Sequence, residues 1–299
     1  MGTSWTVRGF APAAFDLARL ERDVVSMLDL IVQQMSPWVA TSELSRFNAL
    51  AAGEHILLPR EILEVLQTAL TIAAESDGAF DPTLGALVNL WGFGPNAAPN
   101  TPTQSDLAAA RASANWRRVA LSGATLTQAG DVQLDLNGIA KGYAVDRIAA
   151  CLTAAGLTSH LVEIGGELRG AGVKPDGEPW WAEIEAPPGF DRARTLAALY
   201  DLSLATSGDY RRGEIVNGAL ISHTISPSTG APIDNGLAAA TVFHPSCMHA
   251  DAYATALSVM GLERALQFAT TRDIAAIFVQ REAAGFTEHL TPLAQQMAS

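Results

Sequence analysis
Cysteine is scarce: two occur in 299 residues, Cys151 and Cys247, and neither stands in a C-x-x-C or zinc-type spacing. They read as small apolar core residues ahead of any redox role, and they do not settle a compartment. Basic runs are missing as well, with 19 Lys+Arg against 31 Asp+Glu and a net charge of −12, so no footprint for a nucleic-acid backbone exists. No apolar stretch approaches the ~20 residues of a membrane span, and no basic segment leads into an apolar h-region at the start. As written the chain is expected to be cytoplasmic; a leader lying outside this reading frame would place it outside the membrane. Repeats and low-complexity segments are also absent.

What is present suits a globular enzyme. Hydrophobic residues make up 48% and charged residues 17%, and a chain of this length builds a full core without staples. A small phosphorylated ligand remains compatible with the acidic balance if backbone N–H groups, a positioned lysine and a bound metal offset its charge locally.

Alternation over residues 5–9 predicts a strand, and helical spacing from Ala14 to Met35 predicts a long amphipathic helix. A second helix is expected from Pro59 to near Gly78, and a third from Asp81-Pro82-Thr83, with Asp81 as its N-cap and Trp91 near its end. Glycines, prolines and asparagines over 92–102 mark a surface connection. Strands are expected at Arg118–Leu121, Thr125–Gln128 and Val132–Leu136, then a helix over Gly138–Ala155 and a strand over Ser159–Ile164. Further strands are expected at Trp181–Glu185, Leu202–Ala205, Ala219–Ile225, Leu237–Phe243 and Ile274–Val279, with helices at Met248–Gly261 and Leu262–Thr270. Antiparallel patterns mixed with long helices favour an α+β fold over a doubly wound parallel sheet.

Five segments carry candidate chemistry. Asp251 and Thr255 stand at i and i+4 of a helical stretch, which suits two oxygen ligands of a hard cation, although such a spacing is more often a helix-surface pair. Asp135–Tyr143 runs from a strand end through Gly138 into a helix, where backbone N–H groups and Lys141 suit an anion and the Gly138 carbonyl can face a metal; an ordinary strand-to-helix turn is the alternative. Ile164-Gly165-Gly166-Glu167 fits a close backbone approach to a ligand or a bulge. His223 enters a Pro/Ser/Gly turn at 226–230, as a general base or a structural donor. Asp81, with Trp91 and Phe93 downstream, suits a flavin or adenine pocket, or a cap and core residues. His244, His249 and Asp251 match no transition-metal spacing.

In order, Met1-Gly2-Thr3, Met35–Trp38, Ser42–Asn48, Gly78–Thr83, Asn89–Pro95, Asp135–Tyr143, Gly165–Glu167, Ala205–Tyr210, Ser222–Gly230, Pro232–Gly236 and Ala250–Thr255 resemble the ApbE-type FAD:protein FMN transferases. The resemblance implies a two-lobed, T-fold-related α+β architecture with mainly antiparallel sheets and flanking helices. It further implies one such domain over 1–299 with a lobe boundary near 92–102. The implied activity cleaves the FAD diphosphate, attaches FMN to a Thr or Ser of an acceptor flavoprotein and releases AMP, with Mg²⁺, or Mn²⁺, as cofactor.

By the same resemblance Gly138, Asp251 and Thr255 are metal ligands, and Met1, Trp38, Ala79, Phe80, Asp81, Asp135, Lys141 and Ile225 are FAD contacts. His223 is the implied general base, with Asp251 the second catalytic residue. Three departures stand out: Ser226-Pro227-Ser228 where the family usually has Asp-Pro-Arg, Glu167 where it has Asp, and Asn137 where glycine is commoner. Rival expectations are an FAD pyrophosphatase, with water as nucleophile, and a non-catalytic FAD-binding protein.

Overall fold
The computed structural model describes residues 2–96, 102–191, 195–210, 214–216 and 219–298; Met1 and positions 97–101 of the 92–102 connection lie outside the described residues. In chain order the elements begin β1 (Trp5–Gly9), α1 (Leu17–Met35), α2 (Glu43–Asn48), β2 (His55–Leu57), α3 (Arg60–Glu75), α4 (Gly85–Leu90) and α5 (Gln104–Ser113). They continue with β3 (Ala120–Ser122), β4 (Thr125–Thr127), α6 (Ala140–Ala154), β5 (His160–Ile164), β6 (Glu167–Ala171), β7 (Trp180–Glu183), β8 (Leu196–Leu199) and β9 (Leu202–Gly208). The last are β10 (Glu214–Val216), β11 (Ala219–Ile221), β12 (Leu237–His244), α7 (Cys247–Met260), α8 (Leu262–Thr271), β13 (Ala275–Glu282), β14 (Gly285–Leu290) and α9 (Pro292–Met297). The fold is α+β. Two compact units interleave along the chain, the first made of 1–30, 139–208 and 236–299, the second of 31–138 and 209–235.

The first unit is built on a seven-stranded sheet in the order β1-β5-β6-β9-β12-β13-β14, antiparallel at every pairing. Helices α6 and α7 lie on one of its faces. On the other, Leu161, Leu204, Phe243 and Ile277 form a core with Trp180, Ala182, Ala197 and Leu199 of the β7–β8 ribbon and Ala294 of α9. Strand β6 follows β5 through Gly165-Gly166, both at positive φ (60° and 100°), so the glycine pair is a two-residue hairpin turn and β6 begins at Glu167.

In the second unit α3 buries Ile62, Val65, Leu66, Ala69, Ile72 and Ala73 along one face. The N-terminus of α3 lacks its own side-chain cap; instead Gln34 Oε1 accepts from Ile62 N–H at 3.0 Å. Two small sheets complete this unit, β2-β4-β3 and the β10–β11 ribbon.

Three local expectations are corrected. Asp81 does not cap a helix: α4 starts four residues later at Gly85, and Asp81 Oδ1 accepts from Thr83 N–H at 2.8 Å and Thr83 Oγ1 at 2.6 Å, an Asx turn. Val132–Leu136 is no strand, because its backbone makes one isolated parallel bridge, Gln133 to Leu84, and one further backbone bond, Asp135 N–H to the Pro82 carbonyl, with side chains such as Asn48 holding other groups. The strand expected over Ala219–Ile225 stops at Ile221, and Ile225 instead forms a separate bridge with Pro232.

Candidate functional site
In the first unit, α6 and α7 meet at Gly142. A side chain there would press a Cβ into the Cys247 carbonyl and within 2.9 Å of Asp251 Cβ, so only glycine allows this approach. The closeness gives the Gly142 N–H a partner on the neighbouring helix, the Asp251 Oδ2 at 3.0 Å. Asp251 is buried, and its other oxygen lies 3.7 Å from Lys141 Nζ. Lys141 also forms an ion pair with Glu167, whose side chain is 3% exposed at the start of β6. A cation in the first turn of α6, opposed to the helix dipole, is thus set beside two acidic groups from other elements.

Thr255 lies one turn beyond Asp251 on the same face of α7, half-buried. Beneath them the Cys247 thiol is pushed well above its ordinary value, by burial first and then by the surrounding carboxylates Asp146, Glu167 and Asp251. Its burial matches the expectation of a core cysteine; Cys151 is half-buried, and both are free.

Among the described residues no cluster of three His, Cys, Asp or Glu side chains could hold a metal. In the first unit the oxygen donors on this face of α7 are few, the Asp251 carboxylate and the Thr255 hydroxyl; Gly138, the third expected ligand, stands two residues ahead of α6 in the chain and is counted in the second unit. Such a sparse, hard set fits Mg²⁺, which keeps waters and shares phosphate oxygens, and does not fit zinc.

The second unit holds the other predicted residues apart from Met1, which lies outside the described residues. Ala79, Phe80 and Asp81 are buried and follow α3, with Phe80 N–H donating to Ser76 Oγ at 3.1 Å. Besides Thr83, Asp81 accepts from Trp116 N–H at 3.2 Å. Burial nevertheless raises its carboxyl above the ordinary range, outweighing these hydrogen bonds and nearby Arg117. Asp135 runs alongside, its N–H donating to the Pro82 carbonyl at 2.8 Å. Its carboxylate accepts from Asn137 twice, from the backbone N–H at 2.7 Å and from the side-chain amide at 3.1 Å, yet burial raises this carboxyl too. The departure at Asn137 therefore adds a tether that a glycine could not supply.

A cavity of about 160 Å³ opens next to Asp135 and is lined also by Pro37, Asn48, Asn89 and Gln133. Trp38 follows Pro37 and is 54% exposed, which leaves its face open to a planar ring. His223 is half-buried, with Phe93 edge-on at 6.4 Å between ring centroids, and Ile225 is buried beside it in the chain.

The turn after His223 is pinned to the preceding helices. Trp91 Nε1 donates to the Gly230 carbonyl at 2.7 Å and Arg111 Nη2 to the Ser228 carbonyl at 2.5 Å. Gly230, at φ +70°, faces the Arg111 side chain, where a Cβ would stand 2.6 Å from Cγ and Cδ. Where the resemblance leads one to expect an acid and a base, Ser226 and Ser228 share a hydroxyl contact at 2.9 Å.

Within the first unit, then, Lys141 and Asp251 come together, and in the second Asp81 and Asp135 share adjoining segments. Glu167's partnership with Lys141 and the closeness demanded of Gly142 did not emerge from motif reading. A glycine inside a helix, which costs about 1 kcal/mol relative to alanine, was the available signal for the latter.

The whole chain resembles known proteins. The profile of the ApbE family matches residues 1–278. An FAD:protein FMN transferase of Vibrio cholerae is 38% identical over 97% of this chain and 88% of its own length. The crystal structure of the Pseudomonas stutzeri flavinyl transferase ApbE superposes with a TM-score of 0.92 at 40% identity, covering 99% of this chain and 94% of that one. The Thermotoga maritima apbe protein does so at 0.87 and 26% identity, over 100% and 96%.

Proposed function
The chain belongs to the ApbE family, and from that premise we propose that it is an FAD:protein FMN transferase dependent on Mg²⁺. The acceptor is a Thr or Ser hydroxyl of a flavoprotein. Its oxygen bonds to the phosphorus on the FMN side of the FAD diphosphate, the bond from that phosphorus to the bridging oxygen breaks, and AMP leaves. His223 takes the hydroxyl proton as general base. Phosphoryl transfer of this kind is mostly positioning and charge stabilisation. Mg²⁺ or Mn²⁺, when bound through Asp251, Thr255 and the Gly138 carbonyl, supplies neutralisation of charge on the diphosphate.

The chain's own residues do the rest. Lys141 is held by Glu167 and Asp251 as a fixed cation for a diphosphate oxygen. Asp81 and Asp135 accept from donors of FAD, Ala79, Phe80 and Ile225 cover its apolar surface, and Trp38 stacks on a ring; Met1 belongs to the same set of contacts. The observation that carries the reading is the buried Asp251 carboxylate fixed by Gly142 N–H and set beside Lys141, a metal-ready acid next to a phosphate-ready base. The test mixes the protein, FAD and Mg²⁺ with a threonine-bearing flavoprotein domain, with and without EDTA, and reads acceptor mass and released AMP. Acceptor gaining FMN only with metal supports the transferase. AMP with free FMN contradicts transfer in favour of hydrolysis, and FAD retained without AMP contradicts catalysis altogether.

A further inference from the structure
The N-terminus of α7, the helix that carries Asp251 and Thr255, is capped from another helix. Asp146 on α6 accepts from Cys247 N–H at 2.9 Å through Oδ1 and from Met248 N–H at 3.0 Å through Oδ2. The N-cap hydroxyl, Ser246 Oγ, donates to Oδ2 at 2.8 Å, and Arg169 Nη1 on β6 reaches Oδ1 at 3.3 Å. Arg169 also bonds Ser203 Oγ at 3.2 Å and the Pro245 carbonyl, fixing the turn that leads into α7. Two of the helix's first amide donors, which a helix leaves without internal partners, are thereby used up by a carboxylate that also complements the helix dipole.

Asp146 stands one turn after Gly142 on α6, so both face α7. Helix α7 is thus gripped at two points, Asp146 at Cys247–Met248 and Gly142 at Asp251, and these two grips fix its axial position against the turn that bears Lys141. We propose that Asp146 is a positioning residue for metal binding: by holding α7 against α6 it sets where the Asp251 carboxylate and the Thr255 hydroxyl stand. The proposal rests on the assignment of Asp251 as a metal ligand. All four contacts point a hydrogen at Asp146, so asparagine, nearly the same shape, must turn an NH₂ toward at least one donor. The grip weakens while the packing volume stays.

The experiment counts free Mn²⁺ by electron paramagnetic resonance in titrations of the full chain, with FAD affinity measured in EDTA by flavin fluorescence and folding checked by circular dichroism. For Asp146→Asn the dissociation constant for Mn²⁺ rises about 10-fold or more, the scale of lost outer-sphere partners, and excess metal restores turnover. FAD affinity in EDTA stays within about twofold. Ser246→Ala removes one of the four contacts together with the N-cap bond from His249 N–H and gives a smaller rise, about two- to threefold, which keeps the test available if Asp146→Asn folds poorly. A purely structural role lowers the melting temperature but leaves the Mn²⁺ affinity of the folded protein unchanged, and that result overturns the proposal. Parallel titration of Asp251→Ala separates the failures: unchanged Mn²⁺ binding there removes the metal assignment and the proposal together, whereas loss there with no shift in Asp146→Asn overturns the proposal alone.

Discussion

In the first unit the Asp251 carboxylate is held by groups remote in the chain, Gly142 N–H from 109 residues earlier and the neighbouring Lys141, whereas in the second unit Asp135 is held by Asn137, two residues on. The remote arrangement sets a buried acid next to a cation and depends on how two helices pack. The local one is complete within a tight turn but brings no positive charge, so burial dominates and raises the Asp135 carboxyl. An acid beside a fixed cation is suited to meeting a metal and a phosphate. An acid in a cation-poor turn is suited to accepting hydrogen bonds from a neutral ring or ribose.

Substitutions that break this contrast rank by expected effect. Asp251→Ala removes the carboxylate around which the remote cluster is built, and turnover falls on the order of 10³-fold or more together with metal binding. Turnover retained at micromolar Mg²⁺ would refute the ligand role. His223→Ala removes the proton acceptor and is expected to cost roughly 10²- to 10⁴-fold in turnover, with FAD affinity within about twofold by fluorescence titration. Equal losses in turnover and affinity would make His223 a binding residue instead. Gly142→Ala drives a methyl into the Cys247 carbonyl, so overpacking should cost about 1–3 kcal/mol in denaturant unfolding and weaken metal binding with it. Unchanged stability would show that the helices part without cost.

The smallest effect concerns pH. Because burial raises the Asp135 carboxyl, the folded state holds its proton to higher pH than the unfolded state does. Its contribution to stability is then most favourable below the unfolded value of about 4 and declines as pH rises through the folded value. Asp135→Asn abolishes the decline, so its melting temperature should exceed the parent's at pH 7 and converge with it near pH 4, while FAD affinity falls. A difference independent of pH would contradict the burial argument.

Local signals carried much of the fold. The apolar spacing over Leu20, Val24 and Ile31 predicted α1, which starts at Leu17 because Asp16 Oδ1 accepts from Arg19 N–H at 2.8 Å. Asp81-Pro82-Thr83 misled because an Asx turn and a helix cap use the same residues; here Oδ1 closes the turn on Thr83 while Oδ2 accepts from Trp116 N–H. Strand β6 escaped notice because its residues, Glu-Leu-Arg-Gly-Ala, lack alternation and its hairpin glycines also read as a bulge. Helix α5 went unread although Thr103 and Asp106 form a capping box, since its apolar stripe is weak. Candidate ligands were legible as i, i+4 and glycine-turn motifs; their partners were not, because Lys141–Glu167 and Gly142–Asp251 are tertiary pairings with no fixed spacing.

The measurement closest to the account's central claim is a paired titration of Asp251→Ala and Asp135→Ala, reading Mn²⁺ binding by electron paramagnetic resonance and FAD binding by fluorescence on the same samples. The account predicts opposite losses: Asp251→Ala keeps FAD in EDTA and loses Mn²⁺, while Asp135→Ala loses FAD about 10-fold or more and keeps Mn²⁺ within about twofold, the scale of one buried polar partner removed. Parallel losses of both ligands in both variants would contradict it.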